Sequence, residues 1–335
     1  MKVLLTGGAG YVGSACLRWL MAHGHDPIAY DDLSEGNAPA VPDADTRLIV
    51  GDILDTDRMA ACMRERGVEA VMHFAALASV PDSIKQPDEY WRTNVAGTKS
   101  VLDAMRQAGV ARMLFSSTAA TYSFDSPMPL TETSATVPQV PYGTTKLAAE
   151  RLIKDYCLAY DIGYGILRYF NASGADPDGE FGEDRRHESH LIPLILYAAV
   201  GKRDKVLVFG GDWDTHDGSC VRDYVHTADL GQAHQLAIES VEPGAGEIYN
   251  VGSGTGVTVL EVLHACQEVA GRPIKHEIVD RRPGDPDVLI ATPQKLEQNL
   301  GWSPQHADIR DIVETAWRWH QSYPQGYRDK APVGA

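Results

Sequence analysis

Eight residues near the start of the chain, TGGAGYVG (6–13), restrict its possible folds more than any other stretch. They follow an apolar run, KVLLT (2–6), and open a segment with helical spacing near 12–22. Gly7, Gly10 and Gly13 read as G-x-x-G-x-x-G; Gly8, Gly10 and Gly13 read as G-x-G-x-x-G. Either register lets the backbone turn tightly, brings N–H groups up to a phosphate and packs helix against strand. The helix N-terminus adds positive potential. An acid follows at the expected distance: Asp31, with Asp32 beside it, at the end of the next apolar run. A carboxylate there suits the ribose hydroxyls of a dinucleotide. LSEGN contains no Arg or Lys after it, and Glu35 would repel a 2′-phosphate, so NAD is expected over NADP. Asp52 and Ile53, in GDIL after the third run, are candidates for gripping an adenine.

The first half alternates apolar runs with helical patterns. The runs are 2–6, 27–31, 47–51, 70–75, 112–117 and 164–170, and the helical segments lie near 12–22, 55–66, 88–108 and 142–160. Continuous apolar runs are what strands buried on both faces look like. Their alternation with helices predicts βαβ units and an α/β fold with a Rossmann-type, doubly wound parallel sheet. After Asn171 the rhythm changes. NASGADPDGEFGEDRR reads as loop and as the start of a second lobe. Shorter elements follow: helices near 191–200, 227–240, 258–270 and 307–320, and strands at KVLVFG and GEIYNVG. A 335-residue chain exceeds the usual size of one core. The expected division is 1–175, joined by a segment near 221–252, and a smaller α/β substrate-binding lobe over 176–335. The tail RDKAPVGA has little to bury.

The net charge of −16 argues against nucleic acid or an anionic membrane as a partner. It leaves room for a small anionic ligand held by helix N-termini and arginines. The five cysteines, Cys16, Cys62, Cys157, Cys220 and Cys266, are scattered without a C-x-x-C pair. They read as reduced thiols used in packing, with no metal site. MKVLLTGGAG is not a signal peptide, and no apolar run approaches the ~20 residues of a membrane helix. The expected location is the cytoplasm.

PYGTTK (141–146) sets Tyr142 four residues before Lys146, so both share one helix face. A free phenol has a pKa of ~10, and a neighbouring ammonium is expected to bring it toward neutrality, where it can act as a general base. The run RMLFSS ends at Ser116, Ser117 and Thr118, at the carboxyl end of a strand, where doubly wound folds bind their ligands. A hydroxyl there, Thr118 first, can hold a substrate alcohol while Tyr142 takes its proton.

With these residues in place, the sequence resembles the extended short-chain dehydrogenase/reductase superfamily, and within it the UDP-glucose 4-epimerases (UDP-galactose 4-epimerases). The features that carry the likeness are TGGAGYVG, GDI, HFAA (73–76), TNVAGT around Asn94, FSSTAATY, PYGTTK, LRYFNASGADP, DGSCVRDYVH and RRPGD. The resemblance implies a tightly held NAD and transient oxidation at carbon 4 of a UDP-sugar, with Tyr142 as base and the hydride returned to the opposite face. It implies cofactor positions at Tyr11, Val12, Asp31, Asp52, Ile53, Phe74 with Ala75 and Ala76, Asn94, Lys146 and Phe170. It implies UDP-sugar positions at Asn171, His190, Leu191, Leu207 to Phe209 (with Val208 between), Arg222, Arg282 and Asp285. Read on their own, Arg222 and Arg282 suit a diphosphate, or pair with Asp223 or Asp285. The likeness also implies a homodimer through the helices near 88–108 and 142–160. Departures occur at Thr118, where many members carry Ser, and at Ala78, where some place a Lys near the cofactor phosphates. Leu289 stands where some place a Tyr, and a smaller wall there could admit an N-acetyl group.

Three rivals are weighed. A nucleotide-sugar 4,6-dehydratase needs an acid pair after the strand-end Thr, where Ala119 and Ala120 stand. A 4-epimerase of another UDP-sugar (N-acetylhexosamine, pentose or uronic acid) is harder to set aside; His226 in DYVHTAD favours the hexose enzymes. A non-catalytic NAD sensor would not need Tyr142, Lys146 and Thr118 together. DWDTHDGS fails as a calcium loop, because His216 takes the fifth position and the glycine falls one residue late.

Overall fold

The structure is a computed structural model, and it describes residues 1–282 and 285–330. Fourteen strands are present among them. They are β1 Lys2–Thr6, β2 Asp26–Asp31, β3 Leu48–Val50, β4 Ala70–His73, β5 Arg112–Thr118, β6 Gly163–Tyr169, β7 Asn171–Ser173, β8 Val206–Phe209, β9 Val221–Arg222, β10 Tyr224–His226, β11 Gly246–Val251, β12 Val257–Thr258, β13 His276–Val279 and β14 Val288–Leu289. Seven of them form one sheet in the order β3-β2-β1-β4-β5-β6-β11, with every neighbouring pair parallel. The order reverses direction between β1 and β4, and ligands of such sheets sit at that switch, outside the strands' carboxyl ends.

Helices cover both faces. Tyr11–Ala22 and Thr227–Ser240 pack against each other on one side, over Leu5, Leu17, Leu20, Leu167 and Val251. Thr56–Arg66, Gly97–Ala108 and Pro141–Tyr160 cover the other, over Leu4, Met72's neighbour Val71, Met113, Phe115 and Ile166. Strand residues of opposite parity thus enter two separate cores, which is why the strands read as unbroken apolar runs. A third core joins the helices Leu191–Ala199, Val259–Ala270 and Ile309–Ser322 through Leu196, Val262, Leu263, Ile312 and Val313.

Local chemistry sets the helix ends. Asp55 caps Thr56–Arg66 through the Arg58 N–H, and Gly67 ends it with φ 64°. Thr258 and Glu261 form a reciprocal capping box on Val259–Ala270. The expected 88–108 helix is continuous in course but carries a wider π-type turn over Trp91–Ala96. NAS (171–173), expected as loop, is a strand parallel to β10. The tail also differs from expectation. Gly326–Asp329 forms a helical turn, Tyr327 is buried, and Lys330 donates to the Glu180 carbonyl. Residues 331–335 lie outside the described residues, as do Pro283 and Gly284 of RRPGD. All five cysteines are free and buried, in line with packing roles.

Candidate active site

The glycine loop leaves β1 at Thr6. Gly7 takes φ +71°, a conformation that favours glycine. The helix Tyr11–Ala22 lies flush on this turn: a Cβ on Gly13 would stand 2.2 Å from the Gly7 carbonyl oxygen. Gly10 is the N-cap, and no side chain caps the first turn. The leading N–H groups of Tyr11, Val12 and Gly13 therefore form a bare positive end, a cradle that fits a diphosphate. The Tyr11 hydroxyl donates to the Gly174 carbonyl at 2.5 Å, tying the helix start to the segment after β7, while Val12 packs on the sheet.

Asp31 ends β2 and is buried. One carboxylate oxygen accepts the Ala9 N–H at 2.9 Å and the other the Leu33 N–H at 2.9 Å. It thus fastens the glycine loop to the turn after β2; burial pushes its carboxyl up and the two N–H groups pull it down. Asp32 is exposed and accepts from the Ser34 N–H and hydroxyl. Asp52 is exposed, while Ile53 is buried against Gly97. Phe74 and Ala75 give their N–H groups to the Thr6 carbonyl, and the Phe74 ring tilts against His234 at 4.9 Å. Ala75 lies beneath Gly7, with Ala76 half-buried next to it. Asn94, in the wide turn, uses its whole amide: it accepts from the Leu77 N–H and donates to the Leu77 carbonyl and the Thr145 hydroxyl. It clamps the chain after β4 to the start of the helix Pro141–Tyr160.

That helix, Pro141–Tyr160, starts with Pro at its first position. A Cβ on Gly143 would meet the Ala120 carbonyl at 2.1 Å, so only glycine lets the helix settle on the turn after β5. The contact brings Tyr142 beside Thr118, whose hydroxyl favours the phenolate. Lys146, 3% exposed, donates to the Ser116 carbonyl at 2.8 Å and lies 4.7 Å over the Phe115 ring. The electrostatics reverse one expectation. Burial, as the largest cause, holds the Tyr142 phenol above its ordinary value; Thr118 and the more distant Arg185 charge pull the other way. The Lys146 ammonium does not lower it. Lys146 is itself dehydrated and falls to about 7, opposed by Glu150.

A cleft of about 490 Å³ opens between the lobe and β7. It is lined by Asn171, His190, Leu191, Leu207, Phe209, Arg222, Arg282 and Asp285, with Ala78 at its edge. Val208 is the exception within 207–209. Strand side chains alternate, so Leu207 and Phe209 face the cleft while Val208 is buried on the other side. The Arg282 guanidinium lies 4.6 Å over the Phe209 ring and 3.3 Å from Asp285; Arg222 stands 4.0 Å from the same carboxylate. Asn171 donates its N–H and side-chain amide to the Asp223 carbonyl. Phe170 and Leu289 pack together with Tyr122 and Leu130. His226 is not in the cleft set. It is fully buried, caps Thr227–Ser240 through the Ala228 N–H and faces the Thr315 hydroxyl at 3.0 Å.

Two groups escaped the sequence reading. Glu150 and Arg168 form a buried ion pair with Ser117, directly beyond Lys146. Its signal was present, since Glu150 lies four residues after Lys146 on the same face. Glu183, Arg185 and Glu188 form a second cluster around the expected His190, with the Glu183 carboxylate 2.7 Å from both Arg185 and His190. It sits in an irregular Gly- and Asp-rich stretch that offers no periodicity to read. Donor atoms of Glu183, Glu188 and His190 lie within 4.8 Å of one another, but the Arg185 cation already occupies the group's charge.

Residues 3–252 match the family described as "NAD dependent epimerase/dehydratase family". The chain is 50% identical over 317 residues to a UDP-glucose 4-epimerase of Corynebacterium glutamicum, covering 95% of each. Among solved structures, it superposes on UDP-glucose 4-epimerase from Bifidobacterium longum in complex with NAD+ and UDP with a TM-score of 0.92, at 34% identity over 97% of this chain and 100% of the other. It also matches the UDP-Glc/GlcNAc 4-epimerase from Campylobacter jejuni, with a TM-score of 0.83 at 36% identity over 96% and 99%.

Proposed function

We propose, for a chain that belongs to the NAD dependent epimerase/dehydratase family and within it to the UDP-glucose 4-epimerases, that it interconverts UDP-galactose and UDP-glucose. The observation that carries this reading is the meeting of Tyr142, Thr118 and Lys146 at the carboxyl end of β5, on the sheet whose β1 ends in the diphosphate cradle. NAD supplies, when bound, the acceptor that takes a hydride from sugar carbon 4 and returns it. The chain's own residues do the rest. Tyr142 removes the carbon-4 hydroxyl proton and gives it back, and Thr118 orients that hydroxyl. Burial raises the phenol, so the positive charge that NAD brings when bound has to favour the phenolate, and Lys146 is assigned to holding the cofactor beside it.

Arg222 and Arg282 are assigned to the substrate diphosphate. Both now share Asp285, and an anion between them would replace that shared partner. Leu207 and Phe209 form an apolar wall suited to a uracil, with Asn171, His190 and Leu191 around it. The nucleotide anchors the substrate while the sugar turns, so binding energy from the non-reacting part serves the reacting centre. Asp31, Asp32, Asp52, Ile53, Phe74 to Ala76, Asn94 and Phe170 are assigned to the cofactor side. For Asn94 and Asp31 the contribution is the shape of the loops they fasten.

The division proposed is an NAD-binding body of 1–175, joined by 221–252, and a UDP-sugar lobe over 176–335; the pairing of β11 with β6 supports it. The protein is assigned to the cytoplasm as a homodimer; no described helix is long and apolar enough to cross a membrane. A UDP-N-acetylhexosamine is the second reading, favoured by Leu289 in place of a larger wall residue. Replacement Tyr142→Phe tests the base. Turnover is expected to fall by at least about 10²-fold with folding and NAD content unchanged; a near-normal rate would remove Tyr142 from the chemistry.

A further inference from the structure

The helix face that carries Tyr142 and Lys146 continues one turn to Glu150, which is wholly buried. Its carboxylate accepts from the Ser117 hydroxyl at 2.6 Å, from Arg168 Nε at 2.9 Å and from Arg168 Nη2 at 2.5 Å. Arg168 is 3% exposed, held over the Tyr122 ring at 4.8 Å. Ser117 lies between Ser116, whose carbonyl receives Lys146, and Thr118, which lies beside Tyr142. One carboxylate therefore grips the strand segment against which both Tyr142 and Lys146 are placed.

Tethering alone explains this poorly. A buried ion pair adds little stability over an apolar pair of the same volume. Lys146 supplies a better reason, because an ammonium so enclosed needs an anion to remain charged. The groups around it are few. On its own helix are Tyr142 and Glu150. On β4 is His73, buried and neutral. On β6 are Tyr169, whose phenol bonds Ser116 and is raised by burial, and Arg168, which is paired with Glu150. Glu150 is the anion that acts on Lys146 against the effect of burial. We infer that Glu150, paired with Arg168 and oriented by Ser117, is a positioning residue that holds Lys146 in its ammonium form beside Tyr142. The inference rests on the roles proposed above for Tyr142 and Lys146.

The test is the pH profile of kcat for UDP-galactose in the holoenzyme, in wild type, Glu150→Gln and Arg168→Gln. Activity falls on the alkaline side as Lys146 loses its proton. Glu150→Gln removes the anion and leaves Arg168 facing the ammonium, so that limb moves down by about one pH unit or more. Arg168→Gln strands the buried carboxylate without its cation and favours its neutral form, so the limb moves down there too. Downward shifts in both variants support the inference. An unchanged limb in either variant, or an upward shift, overturns it and leaves a tether. Should the single variants fold poorly, Glu150→Gln with Arg168→Met keeps a neutral, similar-sized pair; a downward limb is expected, and an unmoved one overturns the inference. Carbon-13 NMR titration of Lys146 in the same proteins reads its charge without turnover. A wild type with no epimerase activity would contradict the proposed function, while the direction of the Lys146 shift still decides the role of Glu150.

Discussion

Four histidines, His73, His226, His234 and His320, are buried. Burial lowers their pKa values to about 3, 3, 4 and 4. Each is neutral in the folded protein but takes a proton near pH 6.5 when unfolded. Their contribution is therefore complete above about pH 6.5 and is lost as pH falls toward the folded values, at about 1.4 kcal/mol per pH unit for each extra proton bound by the unfolded chain. Glu188, raised to about 7, works in the opposite direction. Unfolding free energy measured with urea should fall steeply from pH 6.5 to 5; a flat profile would show that these rings are charged in the fold. The placement of residues was legible where chemistry and spacing coincide, as for Tyr142, Lys146 and Thr118, which meet at the end of β5. Roles were not legible where burial decides. The expected lowering of Tyr142 by Lys146 failed because the site is dry, and His226, read as a hint of the sugar, proves to be a helix cap.

At the scale of elements, the six strands and four helices of the first half were readable because each strand is apolar on both faces and each helix follows one at short spacing. The wide turn at Trp91–Ala96 was not, since a π-type turn shifts register without changing composition. Nor was the two-sidedness of 207–209, which depends on which face of β8 meets the core. The helix Pro141–Tyr160 also shows which apolar residues are left over. Leu147 and Ile153 are buried in the protein, whereas Leu158 is 86% exposed and Tyr160 46%, the latter under Arg106 at 4.8 Å. Trp91 is exposed at the start of the neighbouring helical segment. Leu158 and Tyr160 belong to the helix pair proposed for the homodimer, where exposed apolar side chains favour a like surface. Leu158→Glu puts a charge on each copy of that face. Light scattering should then give a monomer mass where the wild type gives a dimer; a dimer in both would place the interface elsewhere.

The whole molecule is one sheet with an excursion. After β6 the chain leaves the sheet at Asn171, returns through the Thr227–Ser240 helix, and adds β11 beside β6 before leaving again. The glycine cradle, Tyr142 and the arginine-lined cleft belong to different segments of chain. The return of β11 was foreshadowed by its apolar pattern, but the cleft itself depends on contacts between segments far apart in sequence, which periodicity does not record. The central claim is that this arrangement holds its own NAD and inverts carbon 4 of a UDP-hexose. A proton NMR time course of the purified protein with UDP-galactose and no added cofactor tests it most directly. The account predicts growth of UDP-glucose signals to a stable mixture. No change, even after NAD is added, would contradict it, and turnover of a UDP-N-acetylhexosamine, UDP-pentose or UDP-uronic acid in the same tube would show which sugar the site takes instead.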